Sequence, residues 1–124
     1  LLEKHKKRVD NQQPSLLFGL ASLAEGIDLP GKYLTHLIIT RLPFASPDDP
    51  IEATLAQWLE EQGRKPFFEI SVPDASIRLI QACGRLIRTE TDTGKITILD
   101  QRLIKQRYGQ DLLNSLPPFR REFA

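Results

Sequence analysis

The chain has 124 residues, enough to bury one modest core without disulfides or metal staples. Hydrophobic content of 40% and charged content of 27% exclude general disorder, and a net charge of +1 gives no overall pull toward nucleic acid or membrane. The lone cysteine, Cys83, excludes an internal disulfide and cannot by itself build a zinc or iron–sulfur site.

LLEKHKKRVD opens the chain with good helix formers and a basic surface, and NQQPS ends that segment as a polar breaker. Leu1 stands where a Met would, which fits a fragment or a processed product. There is no charged-then-apolar signal order and no apolar run near the ~20 residues of a membrane span, so no membrane partner and a cytoplasmic location are expected. SLLFGL reads as a short buried strand, and ASLAEGIDLPGKY as a loop. THLIITRLPF is the next strand, halted by Pro43. In ASPDDP the aspartates are placed to cap a helix, IEATLAQWLEEQG, that stops at Gly63. RKPFFEISVP is a connection with room for a short extended piece. Pro73 and Asp74 suit the first turn of a helix running to about Glu90. DTG turns into a third strand, KITILD, and QRLIKQRYGQDLLNSLPP is helical in two pieces around Gly109.

Alternating strands and helices predict an α/β fold, a mainly parallel sheet flanked by helices. Ligands of such sheets sit beyond the carboxyl ends of the strands, which is where AEGID follows the first strand.

The most informative stretch is SIRLIQACGRLIR. On a helix, Arg78, Gln81, Arg85 and Arg88 fall within about 80° of one another. Ile77, Ile80, Gly84 and Ile87 flank this line on one side, and Leu79, Ala82 and Leu86 on the other. Two apolar stripes predict an embedded helix whose guanidinium groups emerge into a cleft. Arginine there pairs with either of two partners: an anionic ligand matched to its donor fork, or carboxylates of the same domain. Gly84 costs helix stability of ~1 kcal/mol, which suits a place where another backbone or a ligand comes close. Glu25 and Asp28 around Gly26 can accept a ribose hydroxyl, orient metal-bound water, or cap local amides. The sequence contains neither GxxxxGK[ST] nor GxGxxG, the usual phosphate cradles. His5, His36 and Cys83 read as structural, and Phe67, Phe68 and Trp58 as core, with base stacking by Phe67 and Phe68 as the alternative.

QACGRLIR has the form QxxGRxxR, motif VI of superfamily 2 helicases, and LFGLASLAEGIDLPG resembles their motif V. With HLIITRLPFASPDDP between them, the chain resembles the C-terminal end of the DinG family, bacterial relatives of the XPD helicases; a YoaA-type branch fits equally. The resemblance implies that residues 1–118 are the later part of a second RecA-like motor domain and 119–124 a tail. It implies a 5′–3′ ATP-dependent DNA helicase of repair or replication, in which Gln81, Arg85 and Arg88 face ATP, one arginine in the finger role. Glu25, Gly26, Asp28 and Gly84 then belong to the nucleotide site, and Ser22 and Thr40 to the DNA track. Implied partners are single-stranded or forked DNA, the first motor domain of the same protein, and a replication or repair protein. ATP and Mg²⁺ are expected to be held mainly by that first domain, and a 4Fe–4S cluster to belong to the full-length parent rather than to this chain. Without a P-loop the fragment alone is expected to be inactive. The alternative reading is a non-catalytic interaction module that kept the helicase fold and docks a partner through LPPFRREFA.

Overall fold

The computed structural model describes residues 1–19, 28–45, 49–87 and 93–123. They fall into two units, Leu1–Ile39 with Gln81–Ile98, and Thr40–Ile80 with Leu99–Ala124.

In the first unit, helix α1 (Leu2–Asp10) carries Glu3 in its first turn and Lys7 and Arg8 in its last, each matched in sign to its end of the helix dipole. Its one buried side chain is His5, held at 2.7 Å by Ser15 Oγ and at 2.7 Å by the Tyr33 carbonyl. A carbonyl only accepts, so Nε2 donates to Tyr33, and Nδ1 pairs with the Ser15 hydroxyl. The histidine thereby pins α1 to a 3₁₀ turn (Gly31–Tyr33). Lys32 and then Tyr33 both donate to Asp10 and hold its exposed carboxyl below the usual range. The expectation that His5 is structural is met; His36, exposed, bonds Thr97 Oγ1 at 2.8 Å.

Strands β1 (His36–Ile39) and β2 (Lys95–Ile98) pair in parallel, His36 opposite Lys95 and Ile39 opposite Ile98. The parallel pairing expected of an α/β fold is therefore present. SLLFGL differs from expectation: residues 15–19 form no strand, with Leu16 77% and Phe18 84% exposed. An apolar run becomes a strand only where a ladder receives its N–H and C=O groups, and among the described residues the sheet has two strands.

In the second unit, α2 (Pro50–Glu61) starts as its sequence requires: Asp49 Oδ1 accepts from the Ile51 N–H at 2.9 Å, and Pro50 occupies the first turn. Gly63 adopts φ +73° just past its end, a left-handed conformation that glycine takes without strain. The segment expected as a connection is instead a π-helical turn (Phe67–Ser71) running directly into α3 (Val72–Leu86), whose residues up to Ile80 belong to this unit and from Gln81 on to the first. α4 (Arg102–Lys105) and α5 (Arg107–Ser115) break at Gln106, whose ψ of 148° is extended, and not at Gly109. Gly109 lies inside α5, where a β-carbon would run into the Leu103 carbonyl, so the close approach of that backbone requires glycine.

Leu42, Leu59, Leu79, Leu103 and Leu112 are buried in this unit. Each such side chain contributes about 1.5–3 kcal/mol. Asp100, at the end of the β2 segment, accepts from the Leu42 N–H at 2.9 Å and grips Arg102 with both oxygens. Arg102 first, and the Leu42 and Arg102 amides after it, hold the Asp100 carboxyl far below the usual carboxylate range, outweighing the opposing effect of burial. A carboxylate that is more acidic folded than unfolded stabilises the fold above its unfolded pKa of about 3.9, and that stabilisation fades as pH falls below it. Asp100→Asn is expected to lower the urea midpoint at neutral pH, and its deficit relative to wild type to shrink as pH falls from about 5 to 3, measured by circular dichroism.

Candidate functional site

The site rests on which side of α3 is buried. Val72, Ala75, Leu79, Cys83 and Leu86, spaced by three and four residues, are at most 6% exposed. The second apolar stripe expected from the sequence is not covered: Ile77 is 56% and Ile80 39% exposed, and Gly84 is exposed. The helix is therefore packed through one side among the described residues, and the line of polar side chains lies along its open side instead of in an enclosed cleft.

That line divides chemically. Arg78 donates from Nε to Asp74 Oδ2 at 2.9 Å, an i,i+4 ion pair, so it takes the carboxylate partner that was one of its two options. Gln81 is exposed one turn later, and Arg85, one further turn on, is half-buried and engaged in an interaction of its own. Between them in sequence, a β-carbon at Gly84 would meet no atom within 4 Å outside its own helix backbone. At about 100° per residue, Gln81 stands about 60° from Gly84 on one side and about 40° from Arg85 on the other, so the open space at Gly84 adjoins the amide, with the guanidinium on its far side. α3 ends at Leu86, earlier than the expected Glu90, and Arg88 lies outside the described residues. Glu25, Gly26 and Ser22 also lie outside them. Asp28 is exposed and has an interaction partner, and Thr40 is exposed in the bend after β1.

Cys83 packs as expected: it is 1% exposed, and burial pushes its thiol up to about 11. A neutral buried thiol does not fit iron–sulfur ligation. Among the described residues no group of three or more His, Cys, Asp or Glu is placed to hold a metal ion. Phosphate oxygens, by contrast, suit the amide and guanidinium donors of Gln81 and Arg85.

The model of the helicase C-terminal domain family matches residues 1–119. The chain belongs to that family. It is 52% identical over 120 residues, 97% of its length, to the ATP-dependent DNA helicase DinG of Photobacterium profundum. The DinG helicases of Salmonella choleraesuis and Escherichia coli are 46% and 44% identical over 119 residues, 96% of the chain. The chain spans 17% of the length of each of these relatives. A partial RecA-like α/β domain accounts for both the family match and the parallel β1–β2 pair.

Reading the sequence as core missed the aromatic residues of the second unit. Phe67 and Phe68 are 39% and 50% exposed, and Trp58 is 50% exposed. Phe44 and Tyr108 join Phe67 in one cluster, with ring centroids 5.5 and 5.1 Å from it. The signal available was the Pro-Phe pair repeated at residues 43–44 and 66–67. Cys83 supplies the check on the buried face: with the chain folded, iodoacetamide should leave it unmodified, and only denaturant should expose it to alkylation detected by mass spectrometry. Rapid labelling of the folded chain would contradict the packing described.

Proposed function

We propose that this chain is the C-terminal part of the second motor domain of a DinG-type ATP-dependent DNA helicase acting in repair or replication. In this reading the Gln81–Gly84–Arg85 face of α3 belongs to motif VI and meets the γ-phosphate of ATP held mainly by the P-loop of the first motor domain. The observation that carries it is the open space at Gly84 beside Gln81, with Arg85 on that residue's other side, on a helix whose opposite side is buried. The glycine costs α3 about 1 kcal/mol relative to alanine. No atom of the described chain needs the space it leaves. A partner from outside the chain gives that space a use.

Chemically, phosphoryl transfer moves negative charge onto the one oxygen that bridges the β- and γ-phosphorus atoms, with charge spread over the equatorial oxygens of the γ-phosphoryl group. Arg85 on α3, or Arg88, stabilises that charge without a proton transfer, because guanidinium stays protonated throughout. Gln81 orients the attacking water or a phosphate oxygen through its amide. Mg²⁺ would supply bridging charge neutralisation from the first domain, where its ligands would reside. Glu25, Gly26 and Asp28 in the motif V loop pass nucleotide state to the DNA track, with Ser22 and Thr40 on the DNA backbone. The parent unwinds DNA in the 5′–3′ direction, and the 124-residue segment alone does not turn over ATP.

The non-catalytic module is the weaker reading, since the relatives are named as ATP-dependent helicases. In the intact parent protein, Arg85→Ala and Arg88→Ala should each lower ATP turnover by about 10³–10⁵-fold. Their affinity for single-stranded DNA and their unfolding midpoints should match wild type. Normal turnover by both variants would refute the assignment.

A further inference from the structure

The second unit presents an aromatic shelf that lies outside the helicase motif segments. Phe67 is its centre, stacked on Phe44 at 5.5 Å and 29°, and edge-on to Phe68 at 5.4 Å and to Tyr108 at 5.1 Å. Phe67 is held by three rings and Phe68 packs edge-on against it, so the shelf is partly ordered and binding to it costs less side-chain entropy. Yet Phe67 remains 39% and Phe68 50% exposed. Single exposed aromatics need no explanation, but a joined cluster opening at the surface does.

The shelf borders a groove of about 640 Å³, within the range of about 300–1,000 Å³ usual for ligand sites. Phe68 and Tyr108 line it together with Gln106, Arg107 and Gln110. Lys65 Nζ stands 6.0 Å from the Phe68 ring centroid, and the Arg102 guanidinium 5.2 Å from that of Phe44. Arg102 is committed to Asp100 and Arg64 to Glu69. Lys65 and Arg107 make no ion pair among the described residues. Asp111 is the one carboxylate lining the groove.

We infer that this shelf is a single-stranded DNA contact, in which a base stacks on the exposed ring surface of Phe68 and its flanking phosphates meet Lys65 and Arg107. Stacked aromatics beside unpaired cations are the two components such binding needs: every base has a π-face, and every nucleotide has a phosphate. The side-chain amides of Gln106 and Gln110 can exchange hydrogen bonds with base edges. An apolar peptide in the same groove would desolvate Arg107 and both glutamines without replacing their water. The inference rests on the helicase reading for the identity of the nucleic acid and adds a contact that motifs V and VI do not supply.

The test uses the intact parent protein and fluorescein-labelled oligo(dT), with binding measured by anisotropy across a salt series. Phe68→Leu, which keeps an apolar side chain but removes the π-face, should weaken binding by about 5- to 100-fold, and Phe68→Trp should bind at least as tightly as wild type. Lys65→Gln should reduce the salt slope by about 0.7, the contribution of one phosphate contact on a single strand. In wild type, an oligonucleotide carrying 5-iododeoxyuridine should photo-crosslink to Phe68 or Tyr108, a readout that needs no variant to fold. Wild-type affinity in Phe68→Leu, or the absence of these crosslinks, overturns the proposal. Loss of an apolar peptide's binding in Phe68→Leu, with DNA binding intact, overturns it in favour of a peptide site. ATP turnover without DNA separates this proposal from the helicase reading. Failure of the shelf leaves the Arg85→Ala defect in place, whereas failure of the motif VI assignment abolishes that defect and leaves the Phe68→Leu loss of affinity.

Discussion

Burial of one side of α3 is the constraint from which the candidate site follows. Val72, Ala75, Leu79, Cys83 and Leu86 leave water together, and with each side chain contributing on the order of 1–3 kcal/mol their burial fixes the helix's rotation about its axis. Once that rotation is set, the 100° step per residue decides everything else on the helix. Gln81, Gly84 and Arg85 are carried to the open side, and Arg78 falls within reach of Asp74. Rotating the helix to bury the arginines would expose leucines and strand guanidinium groups without water, so the two costs act in the same direction.

A comparable economy operates in the second unit around Asp100. Its carboxylate closes the Leu42 amide and fixes Arg102, and Arg102 in turn lies over Phe44, which stacks on Phe67. A single acidic residue at the end of the β2 segment thus orients one edge of the aromatic shelf. Because Asp100 is nearly buried and makes charge-assisted bonds with good geometry, it has more structural weight than the exposed Lys32–Asp10 and Arg120–Glu122 pairs, which water screens.

Much of this was legible in the residues. The Asp49-Pro50 cap, the two β-branched strands and the packing role of Cys83 follow from local chemistry that tertiary context did not override. The QxxGRxxR spacing put Gln81 and Arg85 one turn apart on a helix, as they are found. Three features were not legible, each for a physical reason. Periodicity shows that Ile77 and Ile80 form an apolar stripe, but not whether anything covers it. The run Leu16-Leu17-Phe18 shows apolarity, but strand formation depends on a partner elsewhere in the chain. Phe44, Phe67 and Tyr108 are 23 and 41 residues apart in turn, a separation that no local pattern encodes.

On the function proposed above, the open face of α3 is complementary to ATP in its transition state rather than to bound nucleotide as such. The most direct measurement is the affinity of the intact parent protein for ADP with aluminium fluoride relative to ADP alone, in wild type and in Arg85→Ala. Stabilisation specific to the transition state predicts a large preference for the fluoride complex in wild type. Arg85→Ala should lose most of that preference while binding ADP as before. An undiminished preference in the variant would mean that the arginine on this face does not act on the transferring phosphoryl group, and the account would fail.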